Sequence, residues 1–150
     1  MKQLLALITT LLIAFSLPLQ ACYAGRISEI TEITPTDAVA IHTAVRSQLD
    51  ALSKDDAASA FELTSTTKRM QIGTPDNFLR MIKEDYDPIY RNLGVIFSAP
   101  QVIDGDAIQV VRVTDSDSRV WVAIFWMQQE PDSSWKIDGC QLLQTTSVST

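Results

Sequence analysis

The segment "EDYDPIY", Glu84 to Tyr90, gathers Asp85, Tyr86, Asp87 and Tyr90 within two helical turns. A carboxyl group beside a phenol in an apolar pocket could move a proton on a bound molecule, because burial raises a carboxyl pKa toward neutrality. That chemistry would make a cofactor-free isomerase or lyase. The plainer reading carries more weight: acids and tyrosines at a helix end are commonly just solvated or packed, and a pocket-lining role is the alternative for Tyr86 and Tyr90. His42, the only histidine, and Cys140 could form a thiol–imidazole pair for nucleophilic catalysis. Free cysteine is commonly a small core residue, however, and His42 lies beside an apolar helical stripe. Asp55 and Asp56 have a simpler task in starting a helix. "DSDS" at 115–118 offers oxygens that calcium accepts, but lacks the long loop and closing Glu of an EF-hand, and it reads as a hairpin turn. One histidine and one usable cysteine do not make a four-ligand metal site. No Gly-rich phosphate loop, nucleophile elbow or dinucleotide fingerprint occurs. The residues therefore assign no catalytic group, no metal and no cofactor.

What must position these side chains is a chain of 150 residues, enough for one domain. Its formal net charge is −6, and that acidity disfavours nucleic acid and anionic lipid headgroups, which need clustered Lys and Arg. The N-terminus reads as an export signal. Lys2 precedes the uncharged run Leu4–Leu17, Pro18 breaks it, and small residues follow in "LQACYAG". Two processing routes stay open: cleavage after Ala24, or lipidation of Cys22 in a lipobox-like "LQAC". Either route puts the protein outside the cytoplasm, in the periplasm, secreted or lipid-anchored. The membrane is then met only through the signal peptide or that lipid. Either route also leaves Cys140 without a disulfide partner.

The expected organisation is a signal at 1–24, a linker at 25–35, one α+β domain at 36–145 and a tail at 146–150. Ala38, Ile41, Val45, Leu49 and Leu52 recur at helical spacing, with Thr36 as a cap. A second, short helix follows in "DDAASAFEL". A third is opened by Thr74, Pro75 and Asp76 and carries Phe78, Met81, Ile82 and Tyr86 on its face. Beyond Pro88 the period falls to two. Four strands, "LGVIFSAP", "AIQVVRVTD", "RVWVAIFWMQ" and "SWKIDGCQLL", are separated by turn-rich "QVIDGD", "DSDS" and "EPDSS". Helices first and strands afterwards predict α+β, with the helices on one face of an antiparallel meander.

The third strand poses a problem. Trp121, Ala123, Phe125 and Met127 share one face, and Val120, Val122, Ile124 and Trp126 share the other, so neither is made for water. Trp121 and Phe125 are assigned to a pocket side and Trp126 to an outer side, where a homodimer would cover the sheet.

The segments "VRSQLDALSKDDAASAFELTS", "NFLRMIKEDYDPIY" and "RVWVAIFWMQQEPDSSWKIDGCQLL" together resemble a bacterial domain-of-unknown-function family, number 4864. Its features fall on Asp55, Asp56, Phe61, Tyr86, Pro88, Trp135, Ile137, Gly139 and Cys140, over roughly Ala38 to Leu143. The chain departs from the pattern at Ser133–Ser134, where the family has a glycine before the closing Trp. The resemblance implies a nuclear-transport-factor-like (cystatin-like) α+β cone: three helices packed in a curved sheet of about four strands, leaving a pocket. It implies no activity, since cone folds serve enzymes, binders and scaffolds alike. The expectation is an exported domain that binds a small apolar ligand or a protein partner, with the pocket enzyme as the alternative. Tyr86, Tyr90, Trp121 and Phe125 are the pocket candidates.

Overall fold

Thr34, and not Thr36, opens the first helix. Its hydroxyl accepts the Asp37 backbone N–H (3.1 Å), the Asp37 carboxylate accepts the Thr34 N–H (3.4 Å), and Pro35 occupies the first position. This capping box satisfies amides that a helix start leaves unpaired. The computed structural model describes residues 30–146. The export segment 1–24 with Cys22, the linker residues 25–29 and the tail residues 147–150 lie outside the described residues. The helix begins one residue inside the expected linker.

Among the described residues five helices precede the sheet, where three were expected: α1 (Pro35–Ser53), α2 (Ala57–Glu62), α3 (Thr66–Ile72), α4 (Pro75–Asp85) and α5 (Asp87–Tyr90). Side chains cap four of them: Thr34, Asp56, Ser65 and Thr74. The additional α3 hides from periodicity because none of its residues is fully buried, and Met70 is 75% exposed. Only its ends identify it, Ser65 as the cap and Gly73 at φ 93° as the stop. The short α5 follows Tyr86, where Pro88 allows a new first turn but not the continuation of α4.

The sheet is antiparallel and open, with five strands where about four were expected. They are β1 (Gly94–Phe97), β2 (Gln101–Ile103), β3 (Asp106–Thr114), β4 (Val120–Gln129) and β5 (Trp135–Gln144). The order is β1-β3-β4-β5, and β2 joins the same edge of β3 as β1 does. The extra strand comes from "QVIDGD", which turns at Asp104–Gly105 but contributes Gln101–Ile103 to the ladder. At the turn before Trp135, Ser133 adopts φ 69° in place of the family's glycine. Asp132 supports that turn by accepting both the Ser134 N–H (2.9 Å) and the Ser134 hydroxyl (2.6 Å).

The core takes Ile41, Val45, Leu49 and Leu52 from α1, Phe61 from α2 and Phe78 and Ile82 from α4. From β3 and β4 the cluster takes Ala107, Val111, Val113, Ala123, Phe125 and Met127, all of one parity, while Ile108, of the other parity, is buried opposite Trp126 outside it. The helices therefore cover a single face of the sheet.

One irregularity matters for the site. Trp126 pairs with Gly139 and Met127 with Ile137, so Asp138 has no partner across the ladder. It is the extra residue of a β-bulge, a device that bends a strand and re-aims a side chain.

Candidate functional site

α3 and α4 lie on either side of that bulge and leave a cavity between them. Lys68, Gln71 and Ile72, three and four residues apart, form the α3 wall. Phe78, Met81 and Ile82, continued by Tyr86, form the α4 wall. Gln48 and Leu52 of α1, Phe125 of β4 and residues 137–140 of β5 form the floor. The cavity volume is about 340 Å³, and most of its lining is apolar. Small-molecule sites are usually concave and apolar, with a few polar groups that fix orientation.

Those polar groups are held from behind. Gln48 is buried on α1 and donates its amide to the Ala60 carbonyl (3.1 Å) and the Thr64 hydroxyl (3.2 Å). Leu63 to Ser65 run beside β5 like a short parallel strand: Ser65 N–H donates to the Ile137 carbonyl (2.8 Å), and Ile137 N–H to the Leu63 carbonyl (2.9 Å). Ser65, fully buried, then donates its hydroxyl to Asp138 (2.6 Å) and accepts the Lys68 backbone N–H (3.2 Å). Glu130 accepts the Thr66 N–H (2.9 Å). The start of α3 is thus tied to β5, while its outer face is bare.

Of the four pocket candidates, the structure brings Tyr86 and Phe125 to the cavity. Tyr86 donates to the Cys140 carbonyl (3.2 Å), and burial raises its phenol pKa. Tyr90 and Trp121 are outside. Tyr90 donates to Asp55 (2.7 Å), whose carboxylate also meets Lys83 (3.0 Å), so it latches the α1–α2 turn to α4. The four-residue spacing puts the two tyrosines on one side only in a continuous helix, and the chain changes helix between them. Trp121 has the parity of Phe125, but its indole donates to Asp115 (2.8 Å) at the end of the sheet. Asp115 lies in "DSDS" and is 1% exposed. Burial alone would raise its pKa, but bonds from Trp121, Arg119 and Asp117 outweigh that and hold it down.

The acids expected to work with tyrosine do not join it. Neither Asp85 nor Asp87 lines the cavity, and Asp87 faces Arg91 (3.5 Å). The cavity's own carboxylate is Asp138, from the far end of the chain. The carboxyls with displaced pKa values, Asp37, Asp55, Asp56, Asp115 and Asp132, are all displaced downward by hydrogen bonds or charge. A general acid needs the opposite. His42 and Cys140 are also separate. His42 meets the Phe97 ring of β1 in a tilted contact (4.4 Å between centroids), and Cys140 lies on β5, at the other edge of the sheet. Burial pushes the Cys140 thiol up to about 12, so it is no nucleophile near neutral pH. Among the described residues, no group of three or more His, Cys, Asp or Glu could hold a metal ion, and no helix is long and apolar enough to cross a membrane.

Asp138 and the α3 wall went unread in the sequence, although a signal for the first was present. The apolar positions of "WKIDGCQLL" run Trp135, Ile137, then Cys140, Leu142, a change of parity that needs one extra residue at Asp138 or Gly139.

Residues 34–150 match the model of a family described as a domain of unknown function (DUF4864). No curated protein and no solved structure matches the chain.

Proposed function

From the premise that this chain belongs to the DUF4864 family, we propose that it is an exported, non-enzymatic binding domain of the bacterial cell envelope. Its cavity takes a small, mostly apolar molecule. One observation carries the reading: an open cavity of about 340 Å³ lined by Leu52, Phe78, Ile82, Tyr86, Ile89 and Phe125, with α3 at its side. At about 30 Å³ for each water-sized group, that volume holds on the order of ten heavy atoms. The test is titration of a hydrophobic anilinonaphthalene dye into the natural protein and into Met81→Gln. Met81 is half-buried on the α4 wall, so the variant should fold. Dye affinity should fall severalfold in the variant, and equal affinity would end the reading. Export rests on Lys2, Leu4–Leu17 and "LQACYAG". Mass measurement of natively expressed protein should find a start at Gly25 or a lipidated Cys22, and an intact Met1 terminus would exclude both.

A homodimer packed through the sheet is the second reading. Ile96 is 58% and Leu143 44% exposed on the face opposite the helices, with Val122, Ile124 and Trp126 half-buried between them. A two-fold contact is the commonest way to cover such a patch. Sedimentation at micromolar concentration should show a dimer.

A further inference from the structure

Two charged side chains line the cavity, Lys68 on α3 and Asp138 on the β5 bulge. Ser65 ties the two elements together, donating its hydroxyl to Asp138 and accepting the Lys68 backbone N–H that starts α3. Although both residues line one cavity, they form no ion pair with each other, and among the described residues neither has an ionic partner. The basic residues next to them are engaged elsewhere: Arg69 pairs with Glu62 (3.0 Å), and Lys136 donates to the Glu62 carbonyl (2.9 Å). Both residues are half-buried, so an occupant of the cavity strips water from both charges. A charge that loses water without gaining a partner is costly. A hydrocarbon would satisfy neither. A simple carboxylate would suit Lys68 but bring a like charge toward Asp138, and a simple amine would do the reverse.

We infer that the cavity takes a zwitterion with an apolar body, of the kind of an apolar amino acid, its carboxylate met by Lys68 and its ammonium by Asp138. The inference rests on the cavity-binding reading above and names the class of its ligand. The apolar body lies against Phe125, Phe78 and Ile82, and the head lies toward the α3–β5 side. An amino acid of about a dozen heavy atoms is near the size the cavity holds.

A matched series on one phenyl body tests this: L-phenylalanine, phenylpropanoate, phenethylamine and ethylbenzene, titrated by calorimetry and by displacement of the dye. L-phenylalanine should bind at least about tenfold more tightly than the other three, the size of one charge-assisted hydrogen bond. Lys68→Met should weaken L-phenylalanine and phenylpropanoate about tenfold and leave phenethylamine unchanged. Asp138→Asn should weaken L-phenylalanine and phenethylamine and leave phenylpropanoate unchanged. Both variants should fold: methionine suits the exposed α3, and the asparagine carbonyl can still accept from Ser65. If ethylbenzene binds as tightly as L-phenylalanine, if only the dye binds, or if the variants fail to discriminate acid from amine, the inference falls while the cavity-binding reading survives. If neither the dye nor any of the four compounds binds, both fall.

Discussion

The two faces of β4 carry equally apolar side chains and have opposite fates. Ala123, Phe125 and Met127 are buried beneath the helices, whereas Val122, Ile124 and Trp126 look away from them and remain partly open. On the open face the Trp126 ring spreads over Gly139, 3.8 Å from the point where a Cβ would stand. Such aromatic cover substitutes for the side chain that a strand glycine lacks. The difference teaches that hydrophobicity says how badly a face needs cover, and tertiary packing says which face obtains it. The inner face is also where the cavity lies, so core and site share one surface.

Truncation on the two faces should separate them most clearly. Phe125→Ala should destabilise the protein by about 3–5 kcal/mol in a urea melt, the range for a fully buried aromatic side chain. Ile124→Ala, one residue away, should cost less than about 1.5 kcal/mol at concentrations that favour the monomer, because part of that side chain is already solvated. Equal costs would mean that something covers the outer face within one chain.

The inner face should also show itself at high pH. The Cys140 thiol is raised from 9.0 to about 12 by burial, so the unfolded chain ionises it first. Its contribution to stability is complete below about pH 9 and is lost as the pH climbs to the folded value, at about 1.4 kcal/mol for each unit. The raised phenol of Tyr86 acts in the same direction. Urea melts of Cys140→Ala should decline less steeply above pH 9 than those of the natural chain, and parallel curves would show that the thiol is open to water.

A smaller effect sharpens the line between cavity and surface. Tyr86→Phe should cost about 0.5–1.5 kcal/mol, since it leaves the half-buried Cys140 carbonyl without its donor. Tyr90→Phe removes a bond that water can replace and should cost less. Dye binding should respond to the first substitution only.

The smallest change in monomer stability is expected from Leu143→Ser, within about 1 kcal/mol because that side chain is 44% exposed, yet it should abolish the proposed dimer. A variant that remains dimeric would break the assignment of the outer face to self-association.

Much of the fold was legible because its causes are local. Thr74–Pro75–Asp76 starts α4 through a hydroxyl acceptor, a fixed φ and a favourable dipole contact, all within three residues. The switch from period four to period two after Pro88 separates helices from strands and makes the class α+β without reference to any distant contact. The helix face Ile41–Val45–Leu49–Leu52 was visible in the same way.

The site was not legible, and the reason is physical. Phe78, Ile82 and Tyr86 were recognisable as one helical face, but nothing local says that Lys68 and Asp138 line the same cavity across seventy residues of chain. Trp135 offers a parallel: its indole donates to Asp37 (2.9 Å), 98 positions earlier, and joins the start of β5 to the cap of α1. Spacing governs what lies within a turn or along a strand. Which distant charges meet, which tyrosine enters the cavity and which face of β4 is covered depend on how the helices settle on the sheet, because burial is a property of the packed whole.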